Sequence, residues 1–157
     1  LYLPTTVFSK NKATNIEFKY KNMNLGELER LIDVVKIKII RDQKGTWSKG
    51  STTYLNALFD EINEVKEELS SGKQCFLEDE LGDILWVYLC FVHNLEVEGK
   101  VSMSRVFERS LIKYSERVNG INNGDCWDKI KKKQKIYLEL EQSTFTSTIH
   151  QQNTDTL

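Results

Sequence analysis

The chain has 157 residues, of which 29% are charged and 39% hydrophobic, and its formal net charge is -1. That length suits one domain with a real core, and the composition is that of a globular protein rather than a disordered or fibrous one. A charge so close to neutral gives no bulk attraction to anionic surfaces, so neither a nucleic-acid polymer nor a membrane is expected as a partner.

Residues 1–22 carry Thr, Asn and Lys with scattered aromatics and read as an irregular N-terminal arm. Leu25, Leu28, Leu31, Ile32, Val35 and Ile39 then recur at helical spacing, which predicts a first helix over 25–41. A loop over 42–50 follows, and Ser51, Thr52 or Thr53 can cap a second helix running to about residue 70. A Ser71-Gly72-Lys73 turn leads to a third helix over 76–98, ended by Gly99. The apolar run 84–92 inside it is far short of the roughly 20 residues that cross a bilayer. Ser102 or Ser104 opens a fourth helix over 104–118. The stretch 119–125 holds two glycines and three asparagines and is a loop, with a last helix beginning near Trp127. From 141 to 157 the composition turns to Ser, Thr, Gln and Asn, the mark of a disordered polar tail. Fold class is therefore all-α: an antiparallel bundle of four to five helices occupying 23–140. Three cysteines without a CxxC (Cys75, Cys90 and Cys126) offer neither a disulfide framework nor a thiolate zinc site. Cys90 reads as a small core residue. With no signal peptide visible, a reducing cytoplasm is the expected compartment.

The informative residues are acids on the second and third helices. In LFDEINEVKEEL the apolar stripe is Leu55, Leu58, Ile62, Val65 and Leu69, and Glu61, Glu64 and Glu68 form a second stripe along its edge. In EDELGDILWVYLCFV, Glu80 and Asp83 share a face that continues as Ile84, Val87 and Cys90. Beyond Asp83 the third helix is apolar all round, as in a core or an interface. A solvated helix edge is the ordinary reading of an isolated ExxE. Two such pairs facing each other are different, because four carboxylates around one point repel strongly unless a cation holds them. An all-oxygen donor set suits a hard ion, with Mg²⁺ preferred. A di-iron bundle would want Glu-x-x-His, and neither His93 nor His150 stands in that register.

These residues resemble the MazG-like family of all-α nucleoside-triphosphate pyrophosphohydrolases. The family pattern, EExxE followed by ExxD within ELGDxL, stands here as Asp60-Glu61-Ile62-Asn63-Glu64 and Glu80-Leu81-Gly82-Asp83-Ile84-Leu85. Asp60 replaces the first Glu and keeps its charge. RDQKGTW, ending at Trp47, is similar to the family's first loop, with Gly45-Thr46 where Cys-Pro usually stands. KYSER, from Lys113 to Arg117, and WDKIK, from Trp127 to Lys131, resemble the later landmarks. The resemblance covers about 25–135.

It implies Mg²⁺ ligands at Glu61, Glu64, Glu80 and Asp83, with Mn²⁺ able to substitute. It also implies hydrolysis of a (deoxy)nucleoside triphosphate to the monophosphate and pyrophosphate, as nucleotide-pool housekeeping. A carboxylate not saturated by metal can take the proton of the attacking water. Glu64 is the candidate, and Glu68, one turn along, is the alternative. Lys113, Arg117 and Lys131 are candidate phosphate donors, with Lys131 read as inward beside Trp127 and Leu138. Lys132 and Lys133 are read as solvated. Trp47 and Trp127 can stack on a base, with core or lid packing as the other reading for each, and Lys49 can reach phosphate or base. The apolar third helix, together with the family resemblance, points to a homodimer or homotetramer. The rival readings are a non-catalytic helical interaction module of the same fold and a carboxylate-bridged metal oxidase.

Overall fold

A computed structural model describes residues 25–154, with side chains through residue 144. The expected arm over 1–22 lies outside the described residues. Five helices follow in order: α1 (Leu25–Asp42), α2 (Ser51–Ser71), α3 (Gln74–Val97), α4 (Met103–Asn122) and α5 (Trp127–Thr154). The described residues contain no strand. The architecture is all-α, as the helical periodicity requires.

The helices form two groups. α3 packs against α2 along its length and against α1, while α4 pairs with α5 and touches α3 only slightly. α2 makes no packing contact with α4 or α5 among the described residues. The core lies where α1, α2 and α3 meet: Val35 and Ile39 from α1, Tyr54 from α2, and Val87, Leu89, Cys90 and Val92 from α3, closed by Met103. Burying side chains of this size contributes about 1.5–3 kcal/mol each, which is what holds three amphipathic helices together. Leu89, Cys90 and Val92 are covered by the chain's own α1 and α2, so this part of the apolar run needs no partner. One turn earlier, Leu81, Leu85 and Tyr88 stay exposed.

The start of α2 departs from the sequence reading. Its N-cap is Gly50, at φ 76°, and no side chain of Ser51, Thr52 or Thr53 caps it. Glu98, just past the end of α3, supplies the acceptor. Its Oε1 accepts the Ser51 N–H at 2.7 Å and its Oε2 accepts the Ser51 hydroxyl at 2.8 Å. A side chain at position 50 would collide with that carboxylate, since an added Cβ would lie 2.5 Å from Oε1. At α4, Ser102 occupies the N-cap position without capping, and Glu96 Oε1 accepts the Met103 N–H at 2.8 Å. Two acids at the end of α3 thus start two other helices, and sequence-local capping rules cannot see that.

Lys100, 2.8 Å from Glu98, together with the Ser51 donors, holds the Glu98 carboxyl down at about 2. A depressed acid contributes stability that is complete above its ordinary value of 4.5 and is lost as pH falls toward 2. Glu98→Ala is therefore expected to destabilise by about 1 kcal/mol near neutrality, the usual cost of a lost N-cap. Urea midpoints of wild type and variant should converge as pH is lowered through that window. A constant difference would mean that the carboxylate charge is irrelevant to the cap.

The α4–α5 pair is built on small and polar contacts. Gly120 lets Ile130 approach so closely that a Cβ there would meet its Cδ1 at 2.3 Å. Gln134 bonds to the Lys113 carbonyl and to Glu116, and Arg105 and Arg109 share Glu141 at 2.5 and 2.6 Å. Where a polar tail is expected from 141, α5 continues to Thr154. Within this stretch Glu141 is shared by the two arginines, and the hydroxyls of Ser143 and Thr144 bond to the Leu140 carbonyl.

Candidate active site

The face of α2 that meets α3 reads Tyr54, Leu58, Glu61, Val65 and Glu68, each buried or half-buried. The stripe expected from the sequence is therefore turned. Leu55, Ile62 and Leu69 are exposed, and Glu61 and Glu68 lie on the packed face rather than along its edge. α2 carries two overlapping rows that share Leu58 and Val65. The intrachain partner α3 takes the one headed by the buried Tyr54.

Glu61 and Glu64 on α2 and Glu80 on α3 converge, each offering a carboxylate oxygen within 4.8 Å of the others. Glu61 and Glu80 are half-buried and Glu64 is exposed. Asp83 is exposed and falls outside that tight set, yet it is the first charge raising the Glu61 carboxyl after burial itself. Glu80 is likewise pushed up by burial and then by Glu64 and Asp83. Glu80 Oε2 and Glu68 Oε2 are buried without a hydrogen-bond donor. Orphaned carboxylate oxygens are costly, and a divalent cation is the partner that would satisfy several at once. The donor set is all oxygen, which suits a hard divalent cation. His93 does not join it: its Nδ1 lies 3.3 Å from Glu96.

The basic candidates stand elsewhere. Arg117 is committed to α5, donating to Gln134 at 2.9 Å and lying 5.0 Å over the Trp127 ring. Lys113 lies over Tyr114. The face of α5 toward α4 is Ile130, Gln134 and Glu141, so Lys131 is exposed beside it rather than inward, and Leu138 is exposed too. Lys133, read from the sequence as solvated, instead pairs with Glu116 at 3.2 Å. Trp127 and Leu138, the row expected to pack, are both exposed. The structure packs the row of Ile130 and the polar residues that bond to α4. Within one chain none of Lys113, Arg117 and Lys131 is brought to the acids. Trp47 lies in the α1–α2 loop, edge-on to Tyr54 at 5.7 Å. Lys49 is exposed, and its N–H donates to the Thr53 hydroxyl.

Residues 49–121 match the family model of the MazG nucleotide pyrophosphohydrolase domain. That segment is MazG-like. The matched segment spans α2, α3 and nearly all of α4, so it contains Glu61, Glu64, Glu80 and Asp83 together with Lys113 and Arg117. It does not reach Trp47, Trp127 or Lys131. No curated protein and no solved structure matches the chain. No helix of the described residues is long and apolar enough to cross a membrane.

Sequence reasoning missed Asp42, Lys38 and Tyr54, which surround Trp47. Tyr54 carried no signal beyond helical spacing. Lys38 and Asp42 look like an ordinary i, i+4 surface pair.

Proposed function

We propose that this MazG-like chain hydrolyses a (deoxy)nucleoside triphosphate to the monophosphate and pyrophosphate with Mg²⁺, or Mn²⁺ in its place. The observation that carries the reading is the convergence of Glu61, Glu64 and Glu80, with Glu80 Oε2 buried and without a donor. Glu61, Glu64, Glu80 and Asp83 would hold the metal. When bound, Mg²⁺ neutralises phosphate oxygens and lowers the pKa of water. The chain's own residues do the rest. The acids draw the metal-bound triphosphate to the α2–α3 face and keep free anion away. Glu64, the exposed member, is open to solvent and is placed to accept the proton of the attacking water. Glu68 is the alternative acceptor, one turn along. Trp47 and Lys49 at the head of α2 would meet the base end, and Trp127 is the second aromatic candidate. The test is a panel of ribo- and deoxyribonucleoside triphosphates with pyrophosphate as the readout. Release of orthophosphate in place of pyrophosphate would refute the reaction.

We further propose a homodimer or homotetramer, in the cytoplasm. The support is the row of exposed Leu55, Phe59 and Ile62 on α2 beside Leu81 and Leu85 on α3, more apolar surface than a lone protomer commonly shows. Phe107, Leu111 and Ile112 on α4 are exposed as well. α4 and α5 make no contact with α2, and α4 touches α3 only slightly, which favours Lys113, Arg117 and Lys131 serving a triphosphate at the acids across a chain interface. Light scattering at micromolar concentration is expected to give at least twice the mass of 18.3 kDa, and a monomer would refute the assembly.

A further inference from the structure

Trp47 is 62% exposed, yet it is not loose. Two side chains, from two helices, bear on it. Lys38 Nζ lies 4.6 Å over the indole ring, and the Tyr54 ring meets it edge-on. Lys38 is in turn fixed: it donates to the Tyr54 oxygen at 3.1 Å and to Asp42, and the Tyr54 hydroxyl donates to the other oxygen of Asp42. Tyr54 itself is almost wholly buried, with the Cys90 thiol beside its hydroxyl. A part-buried, closed triangle of Lys, Asp and Tyr is more than packing requires of an exposed loop tryptophan, because polar groups taken out of water cost stability unless every member is satisfied. Its position supplies the rationale. Tyr54 and Glu61 are i and i+7 on the same face of α2, two turns or about 10 Å apart along the axis. That separation is comparable to the reach from the base of a nucleotide to its phosphates. A metal-bound triphosphate at Glu61 and Glu80 would therefore extend its base toward Trp47.

We infer that Tyr54, Asp42 and Lys38 are positioning residues that hold Trp47 as the platform for the base of the substrate. The inference rests on the proposed triphosphate hydrolysis. Lys38 holds the indole through its ring face, and the Tyr54 hydroxyl keeps Lys38 from swinging to solvent. The role lies in binding the base and leaves the phosphates untouched.

Tyr54→Phe removes one hydroxyl and keeps the ring that meets Trp47. It is expected to raise KM for nucleoside triphosphate about 10-fold, within what base–aromatic stacking contributes, and to leave kcat within about twofold. Inhibition by inorganic tripolyphosphate, which carries phosphates and no base, should be unchanged. Trp47 emission, isolated as the difference from Trp47→Phe, should become more accessible to acrylamide. Lys38→Met should repeat the pattern, and it decides the matter should Tyr54→Phe lose helicity. An unchanged KM with unchanged quenching overturns the inference. So does an equal loss of tripolyphosphate affinity, which would put the effect at the phosphate end. A wild-type protein without turnover defeats the proposed reaction and the platform with it. In that case the quenching comparison still shows whether Tyr54 orders Trp47.

Discussion

Glu61→Gln, Glu80→Gln and Asp83→Asn are each expected to lower turnover by more than about 100-fold, since loss of a mere outer-shell partner already costs about 10–100-fold in metal sites. The fold should survive, because none of the three carboxylates makes a hydrogen bond that the helices depend on. The metal-free variants should melt at a higher temperature than metal-free wild type. Glu61 and Glu80 are both pushed up by burial and by neighbouring acids, so deleting one charge relieves repulsion that the folded state bears and the unfolded chain does not. Mg²⁺ should raise the melting temperature of wild type through linkage, and much less in the variants. The two observations separate a metal site from an incidental cluster. Wild-type turnover in all three variants would end the assignment, and a wild type indifferent to Mg²⁺ would end it independently. Asp83 is the informative member. It stands outside the tight set of Glu61, Glu64 and Glu80, so a silent Asp83→Asn beside two inactive Glu variants would reduce the ligand set to three.

Single alanine variants at Lys113, Arg117 and Lys131 are expected to lower kcat/KM by roughly 10- to 1000-fold, as loss of one donor to a developing phosphate charge does. Lys132→Ala should change it by less than about twofold, as surface substitutions usually do. Lys133 now carries a different expectation. It pairs with Glu116 across the α4–α5 contact, so its loss should show as a small loss of stability and not as a loss of rate, as for exposed ion pairs in general. Arg117 also has a structural role. Its bond to Gln134 and its stacking on Trp127 fix α5, so Arg117→Lys, which keeps the charge and loses the planar fork, separates the two roles. The decisive experiment is complementation. In one chain the cations lie on α4 and α5, which do not touch α2, and α4 meets α3 only slightly. Co-expressing Glu61→Gln with Lys113→Ala should then restore part of the activity that each lacks alone, because a mixed assembly contains one site with both groups intact. No recovery in a verified mixed oligomer would place acids and cations in the service of different ends.

The sequence by itself determined the helices. Spacing of Leu25 to Ile39 and the breaks at Gly72, Gly99 and 119–125 set the start of every element and the ends of the first four to within a few residues, because those signals are local. It also determined the acids: i, i+3 spacing places Glu61 with Glu64 and Glu80 with Asp83 on any helix, whatever packs against it. The tertiary structure decided which face of α2 turns toward α3, and so that Glu61 and Glu68 sit on the packed side while Leu55 and Ile62 face outward. Periodicity pointed the other way, since the packed row holds two acids where the outward one has Leu55, Ile62 and Leu69. It also decided the caps. Glu98 and Glu96 reach helices that are distant or separate in the chain, and no local pattern announces an acceptor supplied from elsewhere. The row α5 presents to α4 was hidden for a related reason: Gln134 and Glu141 are polar, and hydrophobic spacing assigns such residues to solvent. Tyr54 is the clearest case. Its ring belongs to the core by spacing alone, but its hydroxyl gains meaning only when the α1–α2 loop returns Trp47 and Asp42 to it, a contact set by chain topology rather than by any residue's own preference.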